Sequence, residues 1–345
     1  MDDGSKKEGE EAMEIDEDAK ESPRASIRSS PQRNIALSIL KNQFSRRRSG
    51  IANRRHLGSH ECFVRRLLLD SELQPEHGGC VNTIRWNSQG NLLVSGSDDT
   101  CLHIYNPYAG GKKQLLARLQ TSHTGNIFNA IFLHHSGDRK IASCAADGEV
   151  RVTDLEKGMV SKVAEHSGMA HKVANDLESG HMLFSCGEDG VLKSTDLRST
   201  PMQGCRTLVK LEGEEGKTVG MMSLSMNPMN SYQIAVAARD EHTRVYDRRM
   251  LRRGSNSSTS SSSSGIGDFS KPMAIYTPTE FRRETEGGGG GEGGNRRRPY
   301  SPLFHGATSV AYSWDGLELL TSYHSGKIYL FHTHDDKSTE HARFY

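Results

Sequence analysis

The stretch FSCGEDGVLKSTDLR, Phe184 to Arg198, sets an Asp-Gly turn between two short strand-like runs and closes on an Asp-x-Arg. Nearly the same phrase stands upstream as ASCAADGEVRVTDL, Ala142 to Leu155, and again as VSGSDDTCLHIYN, Val94 to Asn106. A catalytic constellation is needed once, so a phrase written several times is read as architecture.

With the turn aspartate as marker, Asp99, Asp147, Asp189 and Asp240 follow one another at spacings of 48, 42 and 51 residues, the period of propeller blades. Each copy opens with a histidine or a polar stand-in (His77, His123, His166, Glu215) and a run such as CVNTIRW, NIFNAIF or VGMMSLSM. A second run (NLLVSGS, KIASCA, HMLFSCG, QIAVAA) leads into the Asp turn, and a third ends at Asn106, Asp154, Asp196 or Asp247. Short runs of β-branched and small residues between Gly, Asn and Asp are strand signals, and three are legible in every copy. The fold class is all-β, a β-propeller. A fifth copy, ATSVAYSWDGLELLTSYHSGKIYLF, carries Ser325 where the turn Asp is due.

The recurring polar residues have a physical reason. In such a blade the turn Asp accepts from the opening His, the His reaches a Ser on the central strand, and an aromatic donor can end the chain. A buried network of this kind is tolerated only when every member is satisfied. His77, Ser95, Asp99 and Tyr105 form a complete set on this reading; His123, Ser143, Asp147 and His166, Ser185, Asp189 keep three members each, and Asp240 marks the fourth blade. Cys144 and Cys186 recur one place after the central-strand Ser, as core residues rather than nucleophiles.

Composition bounds the rest. The chain has 345 residues, with 44 Lys+Arg against 43 Asp+Glu, so net charge selects no partner. The balance hides a segregation: residues 1–22 are strongly acidic, and residues 23–60 contain no acid. Residues 1–29 are expected to be a disordered tail. Six scattered cysteines without Cys-x-x-Cys suggest neither a disulfide framework nor a zinc site. With no apolar run of membrane-spanning length and no leader pattern, a soluble intracellular protein is expected.

Residues 30–49 predict a helix: Ser30 caps it, Pro31 takes the first position, Ile35, Ile39, Leu40 and Phe44 give an apolar face, and Gly50 lies beyond. Blades one to four occupy 60–250. Residues 251–304 read as a Ser- and Gly-rich insertion that cannot bury enough apolar surface to order itself, open to protease over 252–300. The fifth blade and the chain's end occupy 305–345. The Gly run 287–291 lacks the Lys-Ser/Thr of a phosphate loop. His134, His135, His332 and His334 lack Cys or carboxylate partners at fixed spacing. No cofactor, metal site or catalytic order is read.

The motifs GGCVNTIRWNSQGNLLVSGSDD, GNIFNAIFLHHSGDRKIASCAADGEVRV, SGMAHKVAND, FSCGEDGV with its following DLR, MNPMNSYQIAVAARDEHTRVYDRR and YSWDGLELLTSYHSGKIYLF resemble, in that order, WD repeats. More specifically they resemble the WD-repeat substrate receptors of cullin-four RING ubiquitin ligases, nearest the eighth-numbered associated factor and the WD-plus-tetratricopeptide proteins. The Trp of the Trp-Asp signature is replaced by Tyr105, Thr153, Thr195 and Tyr246. The resemblance implies a seven-blade ring, of which about five blades are present here, so the WD40 propeller is expected to be incomplete.

It also implies two adaptor contacts: the helix carrying Ile35, Ile39, Leu40 and Phe44, docked in a groove, and the Asp-x-Arg boxes Asp196/Arg198 and Asp247/Arg249. The alternative for the boxes is that each Arg only pairs with an acid of a neighbouring blade. The function implied is a non-enzymatic receptor in nucleus and cytoplasm, bound to the ligase adaptor and to a substrate protein, with no membrane partner and nucleic acid not favoured. The rival is a nuclear WD40 scaffold that binds histone tails or nucleic acid through its basic segments.

Overall fold

In a computed structural model, residues 65–69, 72–73, 76–109, 114–213, 216–251, 271–278, 281 and 306–333 are described. The chain divides into Met1–Leu68 and Leu69–Tyr345, and every strand lies in the second unit. The expected tail and helix, with Ile35, Ile39, Leu40 and Phe44, lie outside the described residues, as do Glu215 and His334.

Among the described residues nineteen strands form five antiparallel sheets, each built from consecutive strands. The first holds β1 (Val81–Trp86), β2 (Leu93–Ser97), β3 (Cys101–Tyr105) and β4 (Leu115–Gln120); the second β5 (Ile127–Phe132), β6 (Lys140–Ala145), β7 (Glu149–Asp154) and β8 (Met159–Glu165). The third holds β9 (Ala170–Asn175), β10 (Met182–Gly187), β11 (Val191–Asp196) and β12 (Cys205–Lys210). The fourth holds β13 (Met221–Met226), β14 (Gln233–Ala238), β15 (Thr243–Asp247) and β16 (Ala274–Tyr276), and the fifth β17 (Ala307–Tyr312), β18 (Glu318–Tyr323) and β19 (Ile328–His332).

The first four sheets are buried on both faces near their centres, which is why their second strands read as nearly continuous apolar or small runs rather than alternating ones: Leu93–Ser97 and Ile234–Ala238 are buried throughout. Four apolar clusters lie between successive sheets. Val94, Leu102 and Ile104 of the first meet Ile127, Ala130 and Phe132 of the second, and Ala142, Cys144 and Val150 of the second meet Val173 and Leu183 of the third. Phe184 and Leu192 meet Leu224, Ile234 and Tyr246; Ala235 and Val245 meet Val310, Leu319 and Tyr329. Among the described residues no such cluster joins the fifth sheet to the first.

The register repeats as the sequence does. A β-bulge falls at the same place in every sheet, between Val81 and Thr83, Ile127 and Asn129, Met221 and Ser223, and Ala307 and Ser309, with its counterpart at Cys186 and Gly187 in the third. A bulge adds twist and re-aims the strand, which suits sheets arranged around a common centre. After the turn aspartate the backbone enters the left-handed region, with φ +80° at Gly148 and +65° at Gly190. A Cβ on Gly148 would stand 2.5 Å from the His166 carbonyl oxygen.

Two expectations are revised. The sequence shows three strands in each copy, whereas four sheets have a fourth, outer strand. The Ser- and Gly-rich insertion expected over 251–304 contains ordered pieces: Leu251, Tyr276, Thr277 and Phe281 are buried, and Ala274–Tyr276 is the outer strand of the fourth sheet. Apolar side chains in an otherwise polar segment have a sheet edge to complete, and the composition average conceals them.

Candidate functional site: one end of the sheets

The histidine networks come first because they separate fold from function. His77 Nδ1 lies 2.9 Å from Asp99 and Nε2 2.7 Å from Ser95. His123 spans Asp147 at 2.9 Å and Ser143 at 3.0 Å, and His166 spans Asp189 at 3.0 Å and Ser185 at 2.9 Å. Each turn aspartate also accepts backbone N–H groups: from Gly78 and Cys101, from Thr124 and Glu149, and from Ser167 and Val191. Burial would raise these carboxyls, but the N–H and imidazole donors outweigh it and hold all three below the usual range. Tyr105 ends the first chain beside Ser95, its hydroxyl 3.2 Å from His103 Nδ1.

In the fourth sheet Asp240 grips the Arg244 guanidinium through both oxygens, at 2.9 and 2.5 Å, in place of an opening histidine. Among the described residues two groups bring metal-type donors within 4.8 Å of one another, His77/Asp99/His103 and His123/Asp147/Glu149. Both ring nitrogens of His77 and His123 are already committed to the Asp and Ser of the relay. Burial pushes the Cys186 thiol up to about 12 and raises Cys144 likewise, so neither is a thiolate at neutral pH.

The Asp-x-Arg boxes share one geometry. Arg198 donates to both oxygens of Asp196, at 3.0 and 2.7 Å, while its backbone N–H donates to the same carboxylate at 3.0 Å. Arg249 does the same to Asp247, at 3.1 and 2.6 Å with the backbone at 2.9 Å. Arg198 holds Asp196 down to about 2, and Arg249 lowers Asp247. Both arginine side chains stay exposed, at 68% and 59%. Each fork is fixed from behind by its own aspartate and turns its remaining N–H donors to solvent. The guanidinium of Arg249 also lies 4.4 Å over the Tyr232 ring. Neither Arg198 nor Arg249 pairs with an acid of another sheet among the described residues.

Arg248, between them in sequence, does the opposite. Its Nη1 donates at 2.7 Å to Asp176, whose side chain is 1% exposed, and its guanidinium packs over Phe184 and Tyr232. Asp176 sits in the β9–β10 turn, so this pair ties the third sheet to the fourth. The sequence reading missed it; the only signal was an acid at 176 where other copies have Asn, Leu or Ser.

The boxes stand at the ends of β11 and β15. Asp196 pairs with Met182 and Asn175 with Leu183, so the third strand of a sheet ends where its first strand ends. On that same end the first strands of all five sheets line a cavity of about 610 Å³, bordered by Arg85, Trp86, His134, Lys172, Tyr312 and Trp314 among others.

A WD40 family model, "WD domain, G-beta repeat", matches residues 71–106. The chain is 32% identical over 293 residues to DDB1- and CUL4-associated factor 6 of Homo sapiens, covering 83% of this chain and 30% of that protein. It is 32% identical over 302 residues to WD and tetratricopeptide repeats protein 1 of Homo sapiens, covering 86% of this chain and 43% of that one. A plant relative, Protein ALTERED SEED GERMINATION 2 of Arabidopsis thaliana, is 32% identical over 222 residues. The chain thus spans less than half the length of these relatives. By fold, repeat and homology it belongs to the WD-repeat family in which DDB1- and CUL4-associated factor 6 and WD and tetratricopeptide repeats protein 1 stand.

Proposed function

We propose that this chain is a substrate receptor of a cullin-four RING ubiquitin ligase, holding the adaptor DDB1 by the end of the propeller that carries Arg198 and Arg249. The observation that carries the reading is the pair of identical exposed forks, on neighbouring sheets, each anchored by its own aspartate. The blades do not need them: the first two copies end in Asn106 and Asp154 without an Arg two places on. Relatives named for association with DDB1 and CUL4 supply the identity of the partner. The ligase supplies the chemistry and this chain supplies proximity. The N-terminal segment with Ile35, Ile39, Leu40 and Phe44 adds a helical contact on the same reading.

The test is capture of purified DDB1 by the full chain and by the paired variant Arg198→Ala with Arg249→Ala. Truncating an anchoring Arg typically costs about 2 kcal/mol, roughly 30-fold in affinity. Melting temperature should be unchanged, because both side chains are exposed. Wild-type affinity in the variant refutes the Asp-x-Arg contact; Leu40→Asp with Phe44→Asp tests the segment separately.

A further inference from the structure

The cavity among the five first strands is unusual in its charge. Its lining includes Arg85, Lys172 and His134 and no carboxylate. Among the described residues neither Arg85 nor Lys172 has an ion-pair partner. Burial lowers the Lys172 ammonium, and repulsion from Arg85 lowers it further; burial, His135 and Arg85 lower His134. The half-buried Lys172 ammonium, set beside a second cation without a counter-charge, works against folding, and a ligand that neutralises it offsets that cost.

The repeat shows that the blades do not require them. In the shared register Lys172 takes the place held by Thr83, Asn129, Ser223 and Ser309, and Arg85 that of Ile131, Ala174, Ser225 and Ala311. Small or uncharged side chains serve the fold at both positions in the other copies. The walls also carry Ile131, Val173, Leu224 and Val310, so a ligand meeting them needs an apolar body beside its charge. The hydroxyl of Tyr312 is buried without a hydrogen-bond partner among the described residues. At the border stand Trp86 and Trp314, the chain's two tryptophans, still 48% and 47% exposed, the residue type most often found as an interface anchor.

We propose that this cavity is a binding site for an acidic peptide segment, with Arg85 and Lys172 taking the carboxylate of an Asp or Glu side chain and Trp86 and Trp314 packing against its apolar neighbours. The volume suits a few residues rather than a domain, and the mixed lining favours a peptide over a small polyanion, which would want donors on every side. The site is distinct from the exposed forks of Arg198 and Arg249, and the inference does not depend on what those forks hold.

Because both tryptophans border the cavity, intrinsic tryptophan fluorescence reads its occupancy directly. The full chain is titrated with a randomised heptapeptide pool rich in Asp, Glu and Leu, with the same pool carrying Asn and Gln for Asp and Glu, and with inorganic phosphate. The acidic pool should shift the emission at a concentration at least tenfold below that of the amide pool. Arg85→Glu, at an exposed position that leaves folding intact, should erase the difference, and Lys172→Met should reduce it. Equal response to acidic and amide pools, no response to either, or an undiminished preference in Arg85→Glu overturns the proposal. Phosphate as effective as the acidic pool overturns it in favour of a small oxyanion site.

Discussion

Arg248 and Arg249 are adjacent in sequence and should respond oppositely to alanine. Arg248 is 19% exposed and pairs with an Asp176 carboxylate shut away from water. Removing one partner of a buried pair costs about 3–5 kcal/mol, mostly for the charge left behind. The lower part of that range applies here: the arginine is partly wetted, and Asp176 keeps the Ser179 hydroxyl at 2.7 Å and the Glu178 N–H at 3.2 Å. Loss of the stacking over Phe184 and Tyr232 adds about 0.5–1 kcal/mol. Arg248→Ala should therefore lose about 3–4 kcal/mol, a fall of roughly 10 °C in melting temperature at this size. Arg249→Ala removes an exposed pair within one turn and should lose less than about 1 kcal/mol. The assay is thermal and denaturant unfolding of the two variants alongside DDB1 capture: Arg248→Ala should be unstable, and Arg249→Ala stable but weak in capture. An Arg248→Ala protein that melts within about 2 °C of wild type would refute the assignment of Asp176 as its structural partner.

Asp189→Ala strands the His166 imidazole and the Ser167 and Val191 N–H groups and should cost about 3 kcal/mol, read as a lowered denaturant midpoint; a midpoint equal to wild type would remove the relay from the account of stability. Stability should also fall with acidification in two stages. Burial holds His103, His123 and His171 below the ordinary histidine value, so below about pH 6.5 the unfolded chain takes up protons that the folded chain refuses. Their contribution is complete above that pH and is lost as pH falls. Asp99, Asp147 and Asp189, held low, add a second loss beginning near pH 4. Denaturant midpoints that stay flat between pH 7.5 and 5 would contradict the first stage.

The repeat was legible because its physics is local: the second and third copies set a turn Asp, a Gly in the left-handed region and a Ser on a buried strand at the same places. The fourth strands were not. β4 and β12 are half-exposed outer strands, LLARLQ and CRTLVK, whose weak patterns resemble loop, and β16 is three residues inside a polar segment. The substitution of Arg244 for a histidine partner at Asp240 was equally hidden, since an Asp at the expected place says nothing of which cation will reach it. The Asp-x-Arg boxes were visible as letters, but the inward turn of Arg248 depends on Asp176, a residue of the neighbouring sheet. The cavity left no motif at all. Arg85 and Trp314 are far apart in sequence and meet only through the arrangement of sheets.

What the copies share is accounted for by the fold, so binding has to be sought where a copy departs from the others. Two departures of independent origin fall on the same end. The third and fourth sheets add Arg198 and Arg249 beyond the last buried residue of β11 and β15, and the first and third replace small inner-strand residues with Arg85 and Lys172. All four are cations, on a chain whose overall charge is close to neutral. A partner seated on this end meets guanidinium forks at the rim, each held by its own aspartate, and cations without a carboxylate neighbour at the centre. Complementarity to such a surface fixes orientation and excludes basic surfaces, because a misplaced cation would meet repulsion at the centre. The opposite end of the sheets carries the His–Asp turns, whose donors and acceptors are spent on one another. The His–Asp relays thus serve the fold, and the cations that the other copies lack are what remains to serve a partner.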